Sequence, residues 1–195
     1  MTRRTIISTV LTAVLSTAWI ALAVIATGCS DDSSPRSVVS VETINEGQVL
    51  DSDVYNNGSD QLPGTEDDYI IEDQVAVVIQ NRPHDVGLEI RPNGPFGAVV
   101  FDRYEVRFSG EETLSPLFGA IHLRVLSGGT GTGIVTVVPA GYKSMPPLLA
   151  LRTGGEMFFE CEVTLIGTEE DSKDEVRAIA SIPVHCANWA DTEPD

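Results

Sequence analysis

Positive charge is scarce in this chain. Its 195 residues include 12 Lys and Arg against 29 Asp and Glu, which gives a formal net charge of −17 at pH 7. Nucleic acids and anionic lipid surfaces attract proteins with an excess of positive charge, so this imbalance argues against both as partners. It is compatible with cation binding, or simply with solubility at a membrane surface.

Residues and motifs that perform catalysis are scarce as well. The three histidines, His84, His122 and His185, lack the spacing of metal ligands. No Gly-x-Ser-x-Gly nucleophile motif is present, and the glycine-rich stretch 127–133 lacks the Lys and the following helix of a phosphate-binding loop. The sequence therefore predicts a protein that is not an enzyme.

A sustained helical pattern is absent after the first thirty residues, and alternation with period two takes its place. Val75, Val77 and Ile79, for example, fall on one face of a strand. Near the C-terminus, two longer alternating rows, 159–165 and 176–186, form the strands of a hairpin with a charged tip. Seven or eight short strands separated by turns predict an all-β fold with two sheets.

This pattern of strands resembles the immunoglobulin-like antiparallel β-sandwich. The resemblance rests on the number of strands and on the long final hairpin, and it covers residues 38–190. It implies seven to eight strands in two facing sheets, placed after an N-terminal signal helix. A jelly roll or another sandwich is the alternative.

The first 29 residues carry a different pattern. Arg3 and Arg4 are followed by the uncharged and largely apolar stretch 6–25, and then by the small residues Ala-Thr-Gly and by Cys29. This order resembles the signal peptide of a bacterial lipoprotein. The resemblance implies that Cys29 receives a diacylglycerol on its sulfur, that cleavage precedes it, and that the new amino terminus is acylated.

A lipidated Cys29 would anchor the mature chain to a membrane, because several acyl chains together bind a bilayer stably. In diderm bacteria an Asp after this cysteine retains lipoproteins at the inner membrane, and Ser30 occupies that position here. The resemblance therefore favours lipid anchoring at the outer membrane of a cell envelope. An uncleaved transmembrane helix and ordinary secretion are the alternatives.

These signals divide the chain into four segments. We predict a lipoprotein signal peptide over 1–28, a flexible tether over 29–37, a β-sandwich domain over 38–190 and an acidic tail over 191–195. The tether, rich in Ser and Asp, would separate the lipid from the folded domain.

The stretch 51–68 is dense in Asp, Asn and Gly and is predicted to be a loop. Calcium binds six to eight oxygen atoms, which closely spaced Asp and Asn side chains and backbone carbonyls supply. The pattern is similar to the repeat-type calcium loops of exported proteins. It predicts a Ca²⁺ site, with a solvated acidic loop as the alternative. The side chains concerned are Asp51, Asp53, Asn56, Asn57 and Asp60.

The remaining two cysteines, Cys161 and Cys186, lie on the two strands of the final hairpin. If paired residues have numbers that sum to 347, these cysteines lie directly opposite each other with both side chains on the buried face. Directly opposed residues are close enough for a disulfide, which an oxidising compartment preserves. We therefore predict a disulfide between them, with two buried thiols as the alternative.

Charges on the outer faces of two strands predict which strands are neighbours. Two arginines point outward on strand 98–108, and two glutamates point outward on strand 157–167. Opposite charges on adjacent strands stabilise a sheet by about 0.2–1 kcal/mol per pair, so we predict that these strands lie side by side. The side chains concerned are Arg103, Arg107, Glu160 and Glu162.

The sequence as a whole predicts a lipid-anchored lipoprotein of the cell envelope. Its β-sandwich would be non-enzymatic and would act in binding, adhesion or structural support. The predicted partners are the membrane, through the N-terminal lipid, and an envelope protein or polysaccharide, with no nucleic acid. The alternatives are an envelope hydrolase, with a site assembled from dispersed acids, and an accessory subunit of an envelope complex.

Overall fold

A computed structural model describes residues 37–59, 64–83, 97–110, 112 and 114–189, all within the unit Pro35–Asp195. The predicted signal peptide with Cys29, the tether up to residue 36, Asp60, His84 and the acidic tail lie outside the described residues.

Eight strands account for most of the described chain, which confirms the all-β prediction. They are β1 (Ser37–Ile44), β2 (Leu50–Asp53), β3 (Asp73–Pro83), β4 (Val99–Gly110), β5 (Leu117–Val125), β6 (Thr130–Val138), β7 (Glu156–Glu169) and β8 (Glu175–Ala187).

The strands form two sheets. One has three strands in the order β1-β3-β6, and the other has five in the order β2-β8-β7-β4-β5. Pairing is antiparallel except between β2 and β8, which run parallel. The inward rows of both sheets form one hydrophobic core, and Val75, Val77 and Ile79 lie buried in it as the alternation predicted.

Helical structure in the described residues is limited to three short segments. The helix α1 spans Ala140–Lys143, and 3₁₀ segments span Asn45–Gly47 and Leu148–Thr153. Leu148 and Leu151 are both buried, a spacing of three that suits one face of a 3₁₀ turn. Within the described part of the chain, no helix is long and apolar enough to cross a membrane.

Strand β4 changes the face of its side chains part-way along. Val99 and Phe101 are buried on one side of this change, and Tyr104 and Val106 are buried on the other side. The register shifts between Phe101 and Arg103 against both neighbouring strands. Such a β-bulge inserts one extra residue, here Asp102, and so reverses the pattern on either side of it.

Strands β4 and β7 are direct neighbours, as their charges predicted. Arg107 lies opposite Glu162 in the register. A hydrogen bond from Arg107 to Glu105 raises the pKa of the guanidinium, and the negative charges of Glu105 and Glu162 raise it further.

The final hairpin forms between β7 and β8, but its register differs from the prediction. Paired residues sum to 343, so Cys161 lies opposite Ile182 and Cys186 lies opposite Met157. A slip of four residues keeps every side chain on its original face, so the burial pattern could not distinguish the two registers. The disulfide prediction is wrong for this structure, because both cysteines are buried free thiols.

The two thiols are expected to resist modification in the folded protein. Burial raises the pKa of Cys161 to about 12 and that of Cys186 to about 11, so neither forms the reactive thiolate near pH 8. A mature chain carrying Cys29→Ser should gain two alkyl groups in denaturant without reductant, and none when folded. Mass spectrometry measures both, and labelling of the folded protein would contradict the burial.

The same shifts predict a loss of stability at alkaline pH. An unfolded chain loses its thiol protons near the ordinary pKa of 9.0, whereas the folded chain holds them to a higher pH. Because the folded state then binds more protons, the free energy of unfolding should fall as pH rises above about 9. A Cys161→Ala variant, measured by denaturant unfolding over the same pH range, should show a shallower fall.

Candidate functional site

Three ring side chains meet on the outer face of the five-stranded sheet, where β8 ends and β7 begins. The ring of Phe158 stacks on the imidazole of His185, with centroids 4.1 Å apart and planes 12° apart. Trp189 packs on the same imidazole at 4.8 Å, with the planes at 88°. Phe158 is 60% exposed and Trp189 is 38% exposed, so both rings present area to solvent.

The hairpin register brings these rings together. Phe158 and His185 are directly opposed on β7 and β8, and both point outward because their chain neighbours Phe159 and Cys186 point into the core. Trp189 follows two residues after the end of β8. Its backbone N–H donates a hydrogen bond to Asp53 Oδ1 at 3.2 Å, which holds the chain against β2.

Two exposed carboxylates flank the imidazole. Glu156 Oε2 lies 2.9 Å from His185 Nε2, and Asp51 Oδ1 lies 3.5 Å from Nδ1. Asp51 is the register partner of His185 in the parallel β2–β8 pair. Because the carboxylates face opposite ring nitrogens, they do not converge on one point as metal ligands would. We call Asp51, Glu156, Phe158, His185 and Trp189 the His185 cluster.

A buried ion pair lies close to the cluster and fixes β2. The side chain of Lys143, on α1, is 1% exposed, and its Nζ lies 2.8 Å from Asp73 Oδ2. The same ammonium donates to the backbone oxygen of Asp53 at 2.6 Å, and Ser52 Oγ donates to Asp73 at 2.6 Å. Asp53 and Asp73 flank the segment 54–72, so the contacts of Lys143 hold the two ends of that segment together.

The acids of this segment bind their own backbone. Asp67 Oδ2 accepts hydrogen bonds from the N–H and hydroxyl of Ser59, at 2.8 and 2.9 Å. Asp68 accepts from the N–H groups of Gly64 and Thr65, at 2.6 and 3.0 Å, and from the hydroxyl of Tyr55. The Tyr55 bond lowers the pKa of Asp68 and raises that of Tyr55. These bonds connect Tyr55 and Ser59 with the stretch 64–68.

The structure describes four of the five predicted calcium ligands. The predicted loop begins as strand β2, with Asp51 beside His185 and with Asp53 Oδ1 accepting backbone hydrogen bonds. Asn56 Oδ1 accepts from the N–H of Gly58 at 3.0 Å. Asn57 is half-buried, and Asp60 lies outside the described residues.

Among the residues that the structure describes, no group of three or more His, Cys, Asp or Glu side chains could hold a metal ion. This leaves the calcium site a prediction, and titration of the mature chain with millimolar Ca²⁺ by calorimetry would test it. The alternative of a solvated acidic loop predicts no heat of binding.

Sequence reasoning placed His185 on the outer face of its strand but missed its neighbours. A signal was present, because adjacent residues of a strand point to opposite faces. In the pair Phe158–Phe159 one ring must therefore point outward, and the inward row assigned Phe159 to the core. Trp189 lies at the surface against the imidazole of His185.

Comparisons with known proteins give no family for this chain. No family model matches it, and no curated protein matches it either. Among solved structures, it is similar to the solution structure of a putative late embryogenesis abundant protein, with 9% sequence identity and a TM-score of 0.43. That match covers 97% of this chain and 92% of the other. A likeness at this level carries no argument about function.

Proposed function

We propose that this chain is a lipid-anchored lipoprotein of the cell envelope, and that its β-sandwich is an immunoglobulin-like, non-enzymatic binding module. The observation that carries the binding role is the His185 cluster. Folding buries apolar rings when it can, yet Phe158 and Trp189 are held at the surface in a fixed orientation. Rigid, exposed aromatic rings are the side chains that most often supply binding energy at recognition sites.

The position of the cluster in the domain supports this proposal. β1 begins at Ser37, whose hydroxyl donates to Glu169 Oε1 at 2.7 Å, beside the end of β7. Glu156 and Phe158 stand at the other end of the same strand. Thirteen residue steps at about 3.3 Å each separate Glu156 from Glu169, a distance of about 40 Å. The described part of the chain therefore begins at the end of β7 opposite the cluster.

Anchoring is tested by a Cys29→Ala variant expressed with its signal peptide. The wild-type chain should incorporate radioactive palmitate and stay with the membrane fraction, because acyl chains hold it there. The variant should incorporate none. Palmitate labelling of Cys29→Ala would contradict the assignment of the lipidated residue. Separation of the two membranes by density would then test the outer-membrane location.

Binding is tested with the soluble mature chain carrying Cys29→Ser and with isolated cell envelopes. The chain should sediment with the envelopes, and Phe158→Ala should weaken sedimentation about tenfold, because the exposed ring is lost. The matched control is Phe118→Ala, since Phe118 is 72% exposed on β5 of the same sheet but outside the cluster. Equal effects of both substitutions would rule out the cluster as the binding site.

A further inference from the structure

We infer that the His185 cluster binds an uncharged polysaccharide, with a sugar ring stacked on Phe158 or Trp189 and its hydroxyl groups donating to Asp51 and Glu156. This inference rests on the proposed binding function and names the chemical class of the ligand.

The stacking surface is preorganised. One face of Phe158 is covered by the imidazole of His185, and 60% of the residue remains exposed, so the opposite face is open to a ligand. The axial C–H bonds of a pyranose form an apolar face with a partial positive charge, which matches the negative face of an aromatic ring. Because His185 already fixes the ring, little conformational entropy is lost on binding.

The carboxylates supply the polar half of the site. Asp51 and Glu156 are 67% and 62% exposed in their side chains, and each oxygen pair offers about four lone-pair positions. His185 faces one oxygen of each group, which leaves acceptor positions open to solvent. Sugar hydroxyl groups are donors of the matching kind, and hydrogen bonds to a charged acceptor are the stronger ones.

Charge decides which polysaccharides fit. A phosphate or uronate group would meet Asp51 and Glu156 as well as a chain with a formal net charge of −17. Like charges brought together at a binding site cost free energy and suppress the wrong partner. The site therefore favours neutral glycans, such as glucans or N-acetylated amino-sugar polymers, over anionic ones.

The size of the surface favours a glycan over a protein partner. Along β7 and β8 the next outward side chains are Glu160, Glu162, Ser181 and Pro183. Only Pro183 among these neighbours is apolar, so the apolar surface of the site along β7 and β8 consists of two rings and one proline, which is the scale of one or two sugar units. A stable protein interface buries about 800 Å² on each partner around a desolvated centre.

The chain contains its own reporter for this site. Of its two tryptophans, Trp19 lies in the predicted signal peptide, so Trp189 is the single tryptophan of the mature chain. Its fluorescence should change when the soluble mature chain is titrated with neutral oligosaccharides of glucose, mannose, galactose or N-acetylglucosamine. At least one member of this panel should bind, and an oligogalacturonate of equal length should bind at least about tenfold more weakly. No response to any neutral member would overturn the inference, as would equal binding of the anionic probe.

Variants test whether the change in Trp189 fluorescence comes from binding at the His185 cluster. Phe158→Ala should weaken binding of the responding oligosaccharide about tenfold, whereas Phe158→Tyr and the control Phe118→Ala should leave it nearly unchanged. Circular dichroism of each variant checks that it is folded. Loss of binding in Phe118→Ala to the same extent would contradict the site.

The two proposals fail in distinguishable ways. If the chain binds envelopes through Phe158 but no neutral oligosaccharide, the binding function stands and the ligand class is wrong. Protease treatment of the envelopes that removes this binding would identify a protein partner instead. If Phe158→Ala binds envelopes as well as wild type does, the proposed function itself is wrong.

Discussion

Replacing Asp73 with alanine is expected to lower the free energy of unfolding by about 3–5 kcal/mol. The reason is that Lys143 would keep a charge that is buried, at 1% exposure, and would lose its only carboxylate within 4.0 Å among the described residues. The backbone oxygen of Asp53 would remain its acceptor, and that dipole replaces a full negative charge poorly. Denaturant unfolding of the soluble mature chain at pH 7 measures the change.

Removing Lys143, the positive partner of the pair, should lower the free energy of unfolding by less. Lys143→Met keeps the length of the side chain and removes the buried charge, and Asp73, at 15% exposure, keeps its hydrogen bond from Ser52 and some contact with water. We expect a loss of about 1–3 kcal/mol. Glu175→Ala, which breaks the exposed pairs with Arg177 and Arg103, is the control and should cost at most about 1 kcal/mol. A larger loss for Lys143→Met than for Asp73→Ala would contradict this account of the pair.

Replacing Gly167 with alanine is expected to lower the free energy of unfolding by about 3 kcal/mol. Gly167 lies opposite Phe101 at the bulge in β4. A Cβ atom there would clash with the backbone oxygen of Val100 and would stand 2.8 Å from the Cα of Phe101. Both contacts are with the backbone of a central strand, so relief requires the two strands to separate rather than a side chain to rotate.

A matched glycine in the same chain serves as the control. A Cβ atom at Gly141, in α1, would meet nothing within 4 Å. Alanine is the better helix former, so Gly141→Ala should leave stability unchanged or raise it by up to about 1 kcal/mol. Denaturant midpoints of both variants provide the measurement, and a Gly167→Ala protein as stable as wild type would contradict the close approach of β4 and β7.

Alternation of apolar residues predicted much of the fold, because burial on one face is a local property of a strand. It identified the inner row of β3, the final hairpin and the outward charges that set β4 beside β7. It could not detect the bulge at Asp102, which breaks the alternation without a glycine or proline to mark it. Strand β2 was missed because it is four residues long and gains its parallel partner β8 from the far end of the chain.

The His185 cluster depends on the register of the final hairpin, which the alternation of apolar residues does not determine. In the predicted register His185 would face Glu162, whereas in the structure it faces Phe158. Both arrangements keep the same residues inside and outside, so the core gives no preference between them. The difference is set at the hairpin tip, where Lys173 adopts a positive φ of 64° and the N–H of Glu169 bonds the oxygen of Asp174.

The placement of Ser37 and the His185 cluster at opposite ends of β7 also has a mechanical consequence. A pull between a tether entering at Ser37 and a ligand held at Phe158 would act along the strands rather than across them. Because Ser37 is on β1 of the three-stranded sheet and Phe158 is on β7 of the five-stranded sheet, such a pull would load the packing between the two sheets rather than the hydrogen bonds within one of them. If the chain is anchored and bound as proposed, the contact between the two sheets would carry the tension between the tether and the ligand.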